Sequence, residues 1–211
     1  MKPSQNISFK YVYETNSHKT PQPPYNPSHQ AVPSYKSHDI KGAWRCVRQE
    51  SPNSRQSVMA NWGARVSIGD NFYFSSGDAV NPMTSNLQGA VYVESGAELT
   101  IGNNVGMSST RIWVHDSVAV GDNVKIGACV LITDTDAHPM DYMARRTSNE
   151  GTKSAPIVIE DDAWVGAHSI ILKGVTIGAR SIIGAGSVVT KSIPADCVAA
   201  GNPCRVIKSL K

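Results

Sequence analysis

Aliphatic side chains return every six residues along most of this chain. Ile159, Val165, Ile171, Ile177, Ile183 and Val189 stand at five successive steps of six, and the phase runs on through Ala195 to Gly201. The same spacing links Val114, Val120, Ile126 and Ile132, and it appears less regularly around Ile68 and Phe74 and at Ile101 and Met107. Two positions ahead of the later anchors stand small or β-branched residues, Ala163, Ser169, Val175, Ser181 and Ser187, so a period of two is nested inside the period of six. Both sets are expected to point inward from short strands. A helix does not fit: six residues turn an α-helix through about 600°, which leaves each anchor about 120° from the last.

Glycine follows the anchor at 121, 127, 166, 178 and 184, where a bend and a positive φ are expected, and the IGDN and VGDN stretches supply Asp and Asn for further turns. Three such hexads per circuit make a triangular prism whose coils stack with aliphatic rungs inside. The fold class is therefore all-β, a parallel solenoid over residues 61–207. It is interrupted once, where TDTDAHPMDYMARRTSNEGTKSAP leaves the six-residue phase and predicts an excursion loop at about 133–156. Residues 1–60 are of another kind, an irregular arm with PQPPYNP, His18, His29 and His38, in which ISFKYVYE could form one strand and GAWRCVRQ a helical turn. Residues 208–211 form a short basic tail.

Composition narrows the function classes. A formal charge of +3 is too small to argue for nucleic acid, although Lys191, Arg205, Lys208 and Lys211 bunch near the C-terminus. No apolar run approaches the ~20 residues of a membrane helix. With no secretory leader in MKPSQNISFKYVYE, a cytoplasmic location and no membrane insertion are expected. Cys46, Cys129, Cys197 and Cys204 show no CxxC spacing and read as small core residues in a reducing compartment.

The stretch AWVGAHSIILKGVTIGARSIIGAGSVVTKSIPADCVAAGNPCRVIKSL, residues 163–210, resembles the C-terminal coils of the galactoside and maltose O-acetyltransferases and of related polysaccharide acetyltransferases. The resemblance extends over residues 64–211, and the arm departs from it. It implies a left-handed β-helix, a homotrimer with active sites between subunits, and acetyl-CoA as co-substrate without a metal. The implied acceptor is a sugar or glycan hydroxyl.

Acyl transfer to a hydroxyl needs a base for its proton, a donor to the oxyanion and a grip on both substrates. A neutral histidine suits the first role. His138, in DAHPMD at the start of the excursion, is the candidate base, and the resembling enzymes place their catalytic histidine in a similar His-Pro context. The oxyanion donor is expected to be a backbone N–H. The resemblance further implies that Trp164, outward by alternation, lines a groove between prisms, and that Ala167, Ala185 and Thr190 let a pantetheine arm approach. Lys191, Arg205 and Lys208 would meet coenzyme A phosphates, or form a solvated basic tail. Ser108, Ser109, His115 and Asp116 are candidate acceptor contacts, while His168 suits a structural role.

Three other readings stay open. An amino-sugar N-acetyltransferase could use the same prism and histidine. A non-catalytic scaffold would use the prism alone. A β-helical carbonic anhydrase would need three histidines converging on zinc, and His115, His138 and His168 lack the close pair expected of such a site.

Overall fold

A computed structural model of the chain describes residues 57–76, 81–84 and 87–211. The arm up to residue 56, with its histidines and Cys46, lies outside the described residues. The first described strand of the solenoid, Ser57–Ala60, begins four residues ahead of the boundary that periodicity marks at 61.

The solenoid is a left-handed parallel β-helix with three faces. The first face stacks Ser57–Ala60, Ala90–Val93, Arg111–Val114, Leu131–Thr133, Ile170–Leu172 and Val188–Val189, in that order. The second stacks Arg65–Ile68, Glu98–Ile101, Ser117–Val120, Ile157–Ile159 and Thr176–Ile177. The third stacks Tyr73–Ser75, Gly106–Ser108, Lys125–Ala128, Trp164–Val165, Ile182–Ile183 and Cys197–Gly201, and closes with Cys204–Ser209. Only this closing pair is antiparallel among the described strands.

Alternation sends both nested sets inward as expected. Ile132, Ile159, Val165, Ile171, Ile177, Ile183 and Val189 are all fully buried, and so are Ser169, Ser181 and Ser187 in the small positions. The buried hydroxyls are satisfied by backbone carbonyls: Ser169 and Ser187 donate to Gly184 O at 3.2 and 2.5 Å, and Ser181 donates to Pro194 O at 2.7 Å.

From Ile157 onward the circuit is eighteen residues, as in Ile159 beside Ile177 and Val165 beside Ile183, whereas earlier coils run nineteen, as in Leu99 beside Val118, or twenty, as in Ile112 beside Ile132. Periodicity misjudges the last circuit. Ile193 stands beside Ile177 and Ala199 beside Ile183, sixteen residues on, so Ile193, Cys197 and Ala199 face inward while Ala195 and Gly201 are exposed. The solenoid is also interrupted twice rather than once. Phe74 pairs with Met107 and Val66 with Leu99 across 33 residues, because the chain leaves the prism between Ser75 and Ala90. That first excursion holds a 3-10 turn at Pro82–Thr84 and is tied down by Gly89 N donating to Ser76 Oγ at 2.8 Å and Asn81 Nδ2 to Ser108 Oγ at 2.7 Å.

The glycines after the anchors serve a different end from the one expected. Positive φ falls instead on Asn71, Asn104, Asn123, Asp162, Arg180 and Asp196 along the edge between the second and third faces. It also falls on Ser109, Cys129, His168 and Gly186 along the edge between the third and first. At Gly178 a Cβ would run into Ala195 N and come within 2.6 Å of the Pro194 carbonyl carbon, so this glycine is required by the close approach of the next coil. Cys197 and Cys204 are buried as expected, but Cys129, on the third-first edge, is only partly so.

Candidate active site

The second excursion leaves at the edge between the first and second faces and is closed at its neck. Ala155 N donates to Asp134 O at 2.9 Å, Asp136 N donates to Lys153 O at 3.0 Å, and Thr135 and Ser154 form an antiparallel bridge. Lys173, on the next coil, pairs with Asp136 at 3.1 Å. Beyond the neck Pro139 is buried, and Asp141 caps a four-residue helix, Tyr142–Arg145, by accepting from Ala144 N at 2.8 Å. Arg145 turns back and donates to Pro139 O at 2.8 Å.

His138 sits two residues past Asp136, the last neck position before it, and is exposed. Its Nδ1 lies 3.1 Å from Asn149 Oδ1, on the returning limb. In the tautomer where Nδ1 donates to that oxygen, Nε2 carries the lone pair that a base needs.

Asp134 anchors this assembly to the prism. Ile132 points inward, and alternation carries Asp134 inward too; the residue is wholly buried. Its carboxylate accepts from His115 N at 2.7 Å and from Asp116 N at 2.8 Å, capping the corner of the preceding coil. Burial raises its pKa above the ordinary carboxylate range, against the two amide hydrogen bonds, which lower it. His115 and Asp116 are therefore held at the loop neck, and His115 Nδ1 lies 3.2 Å from Ser154 Oγ. Asn149, Ser154 and Lys173 carry no period that would single them out in sequence, whereas Asp134 could have been found by counting two residues on from an anchor.

The remaining candidates divide between two edges. Thr190 and Lys191 follow Val189 and are exposed on the same edge as the loop, further along the prism. Ala167 and Ala185 lie with His168 on the opposite edge of the first face, and Ser108 and Ser109 lie there too. Trp164, 53% exposed, projects from the third face, and Arg205 and Lys208 project from its closing strand. Within one chain the structure thus brings together His138, His115 and Asp116 on one loop-bearing edge, and leaves Ala167, Ala185, Ser108 and Ser109 on another and Trp164 on the third face. His168, with φ of 59°, sits on the second of these edges, and no three metal-binding side chains converge among the described residues.

Comparison with known proteins matches the same two stretches that carry the repeat. Residues 156–191 match the family described as bacterial transferase hexapeptide (six repeats), and residues 98–134 match the hexapeptide repeat of succinyl-transferase. Galactoside O-acetyltransferase from Escherichia coli K12 is 44% identical over 121 residues, 57% of this chain and 58% of that protein. The chain belongs to the hexapeptide-repeat transferases. A maltose O-acetyltransferase structure from Clostridium difficile 630 is 30% identical, covering 74% of this chain and 67% of that one, with a TM-score of 0.46. AntD, an N-acyltransferase from Bacillus cereus, shares the fold at 20% identity and a TM-score of 0.52, covering 74% of this chain and 83% of its own. This hexapeptide-repeat chain spans less than two thirds of the length of the curated relatives it matches.

No helix among the described residues is long and apolar enough to cross a membrane.

Proposed function

We propose that the protein transfers an acetyl group from acetyl-CoA to a hydroxyl of a sugar or glycan, with His138 as general base and no metal. The observation that carries this is the presentation of His138: an exposed imidazole on a loop with a hydrogen-bonded neck, its Nδ1 beside Asn149 Oδ1, which in the Nδ1–H tautomer leaves the lone pair on Nε2. In the reaction Nε2 takes the acceptor proton as the hydroxyl oxygen attacks the thioester carbonyl. The C–O bond forms, the C–S bond breaks, and the imidazolium returns its proton to the departing thiolate. The likeness to a galactoside O-acetyltransferase supports a sugar hydroxyl as acceptor.

Trp164, Ala167, Ala185, Thr190, Lys191, Arg205 and Lys208 form the coenzyme A contacts in this reading, and Ser108, Ser109, His115 and Asp116 the acceptor contacts. Their division between the loop edge and the third face with its adjoining edge supports a homotrimer, in which the loop edge of one copy faces the third face of its neighbour and each site draws on two chains.

The test is to incubate the purified protein with acetyl-CoA and a panel of sugars, amino-sugars and oligosaccharides while following thiol release, with mass spectrometry locating the acetyl group. Acetylation of a hydroxyl by the wild type and its collapse in His138→Ala is the expected result. Full activity in His138→Ala refutes the mechanism, and a product carrying only N-acetyl groups refutes the acceptor class.

A further inference from the structure

The outward residues of the first face differ from those of the second. In the early coils the second face turns out Ser67, Thr100 and Ala119 in one column, beside a second column that carries the exposed Arg65–Glu98 ion pair. The first face turns out Met59, Tyr92, Trp113 and Thr133 in one column, each beside the next at the ~4.8 Å spacing of adjacent strands. Nothing in the prism core calls for large aromatic side chains here, since the inward positions of the same strands already fill the interior.

The two rings are fixed by a polar network. Asn61 Nδ2 donates to Tyr92 OH at 3.0 Å and to Glu94 Oε2 at 2.9 Å, and Trp113 Nε1 donates to Glu94 Oε1 at 3.3 Å. Tyr92, Glu94 and Trp113 are all half-buried, so their ring faces and polar rims remain partly open. Each Glu94 oxygen retains a lone pair for a further donor. An aromatic pair flanked by a carboxylate and a carboxamide matches a sugar ring, whose C–H face packs on the aromatic and whose hydroxyls donate to the oxygens. Glu94 is the charge that touches the two rings and disfavours an anionic sugar there, while Arg111, outward two residues before Trp113 on the same strand, stands at the platform's margin.

The column is continuous with the loop edge. Thr133 immediately precedes Asp134, and His115 follows Val114 on the strand that carries Trp113. We propose that Tyr92, Trp113, Glu94 and Asn61 form a platform for additional sugar units of the acceptor, so that the acceptor is a neutral glycan of two or more units running along the first face. The inference rests on the acyltransferase reading, whose substrate class it narrows.

The test uses the full-length chain with acetyl-CoA and neutral acceptors of one to four sugar units, beside Trp113→Ala and Glu94→Gln. In the wild type KM falls as units are added. Trp113→Ala raises KM for the tetrasaccharide about tenfold, matching one aromatic contact, while kcat and the monosaccharide KM hold and the sedimentation coefficient is unchanged. Equal KM for one and four units overturns the platform. So does a Trp113→Ala protein that loses monosaccharide turnover in parallel, or one that sediments as a smaller species, which makes the face a subunit contact. If no acceptor is acetylated, the acyltransferase reading fails; calorimetric binding of the tetrasaccharide that is lost in Trp113→Ala then still supports the platform, and no heat in the wild type refutes it.

Discussion

The coils from Ile157 to Val189 and the excursion at Asp134–Ala155 adjoin in sequence and follow opposite rules. In the coils, one small vocabulary repeats: an aliphatic anchor, a small inward neighbour, and a glycine where the next coil presses close. Any one anchor does what every other anchor does. In the excursion no residue has a counterpart. Asp134 caps a corner, Asp136 pairs with Lys173, and Asn149 holds the His138 ring, and each contact is made once. The prism therefore distributes its stability over many interchangeable rungs, while the loop concentrates its chemistry in a few irreplaceable side chains.

That contrast breaks if substitutions in the two regions have the same signature. The largest effect is expected from His138→Ala: kcat/KM for acetyl transfer falls ~10²-fold or more, with the melting temperature essentially unmoved. Ile171→Ala, at a fully buried rung, does the reverse, costing about 2–5 kcal/mol of stability in denaturant titration while KM values hold. Gly178→Ala forces a Cβ against Ala195 N and the Pro194 carbonyl carbon and costs about 1–3 kcal/mol by overpacking, again without a kinetic signature.

Asn149→Ala is expected to lower kcat by about tenfold, the loss of one oriented hydrogen bond, and to leave the acceptor KM unchanged. The smallest effect is on pH dependence. Burial raises the Asp134 pKa in the folded protein above the ordinary 3.8. The folded state then binds more proton than the unfolded one in the window just above 3.8, so stability falls as pH rises through it. Asp134→Asn removes that part of the slope, and urea titrations between pH 3.5 and pH 6.5, a range of about three units around the acidic transition, measure it.

Much of the prism was legible in the sequence because a strand's side chains alternate strictly, and a six-residue phase carries that alternation from coil to coil. The first excursion leaves only a weak signal in the sequence: Ile68 and Ile101 are 33 residues apart, which is not a whole number of circuits. The sixteen-residue last circuit escaped because Ala195 and Gly201 are small enough to pass for weak anchors. The glycines after the anchors suggest backbone freedom in the sequence, which shows a residue's φ preference but not the neighbour pressing on it from the next coil. At the site, the position of His138 at the start of the loop is legible in the sequence, and the burial of Asp134 could have been found from alternation. The neck partners Ser154 and Lys173 are not legible, because pairing across an irregular loop leaves no period.

The closing strand Cys204–Ser209 covers the edge of the third face. A parallel solenoid ends on open strand edges, each able to template another coil or another chain. Here the third face instead reverses direction, and Asp196 is clasped by Arg180 at 2.6 Å and by Lys211 at 2.7 Å, which holds the last turn against the end of the stack. The outermost strand carries Arg205 and Lys208, charges that resist a further strand. On the third face the repeat that builds the prism by addition is thus covered by an element that breaks its rule, and that edge is closed to a further parallel coil.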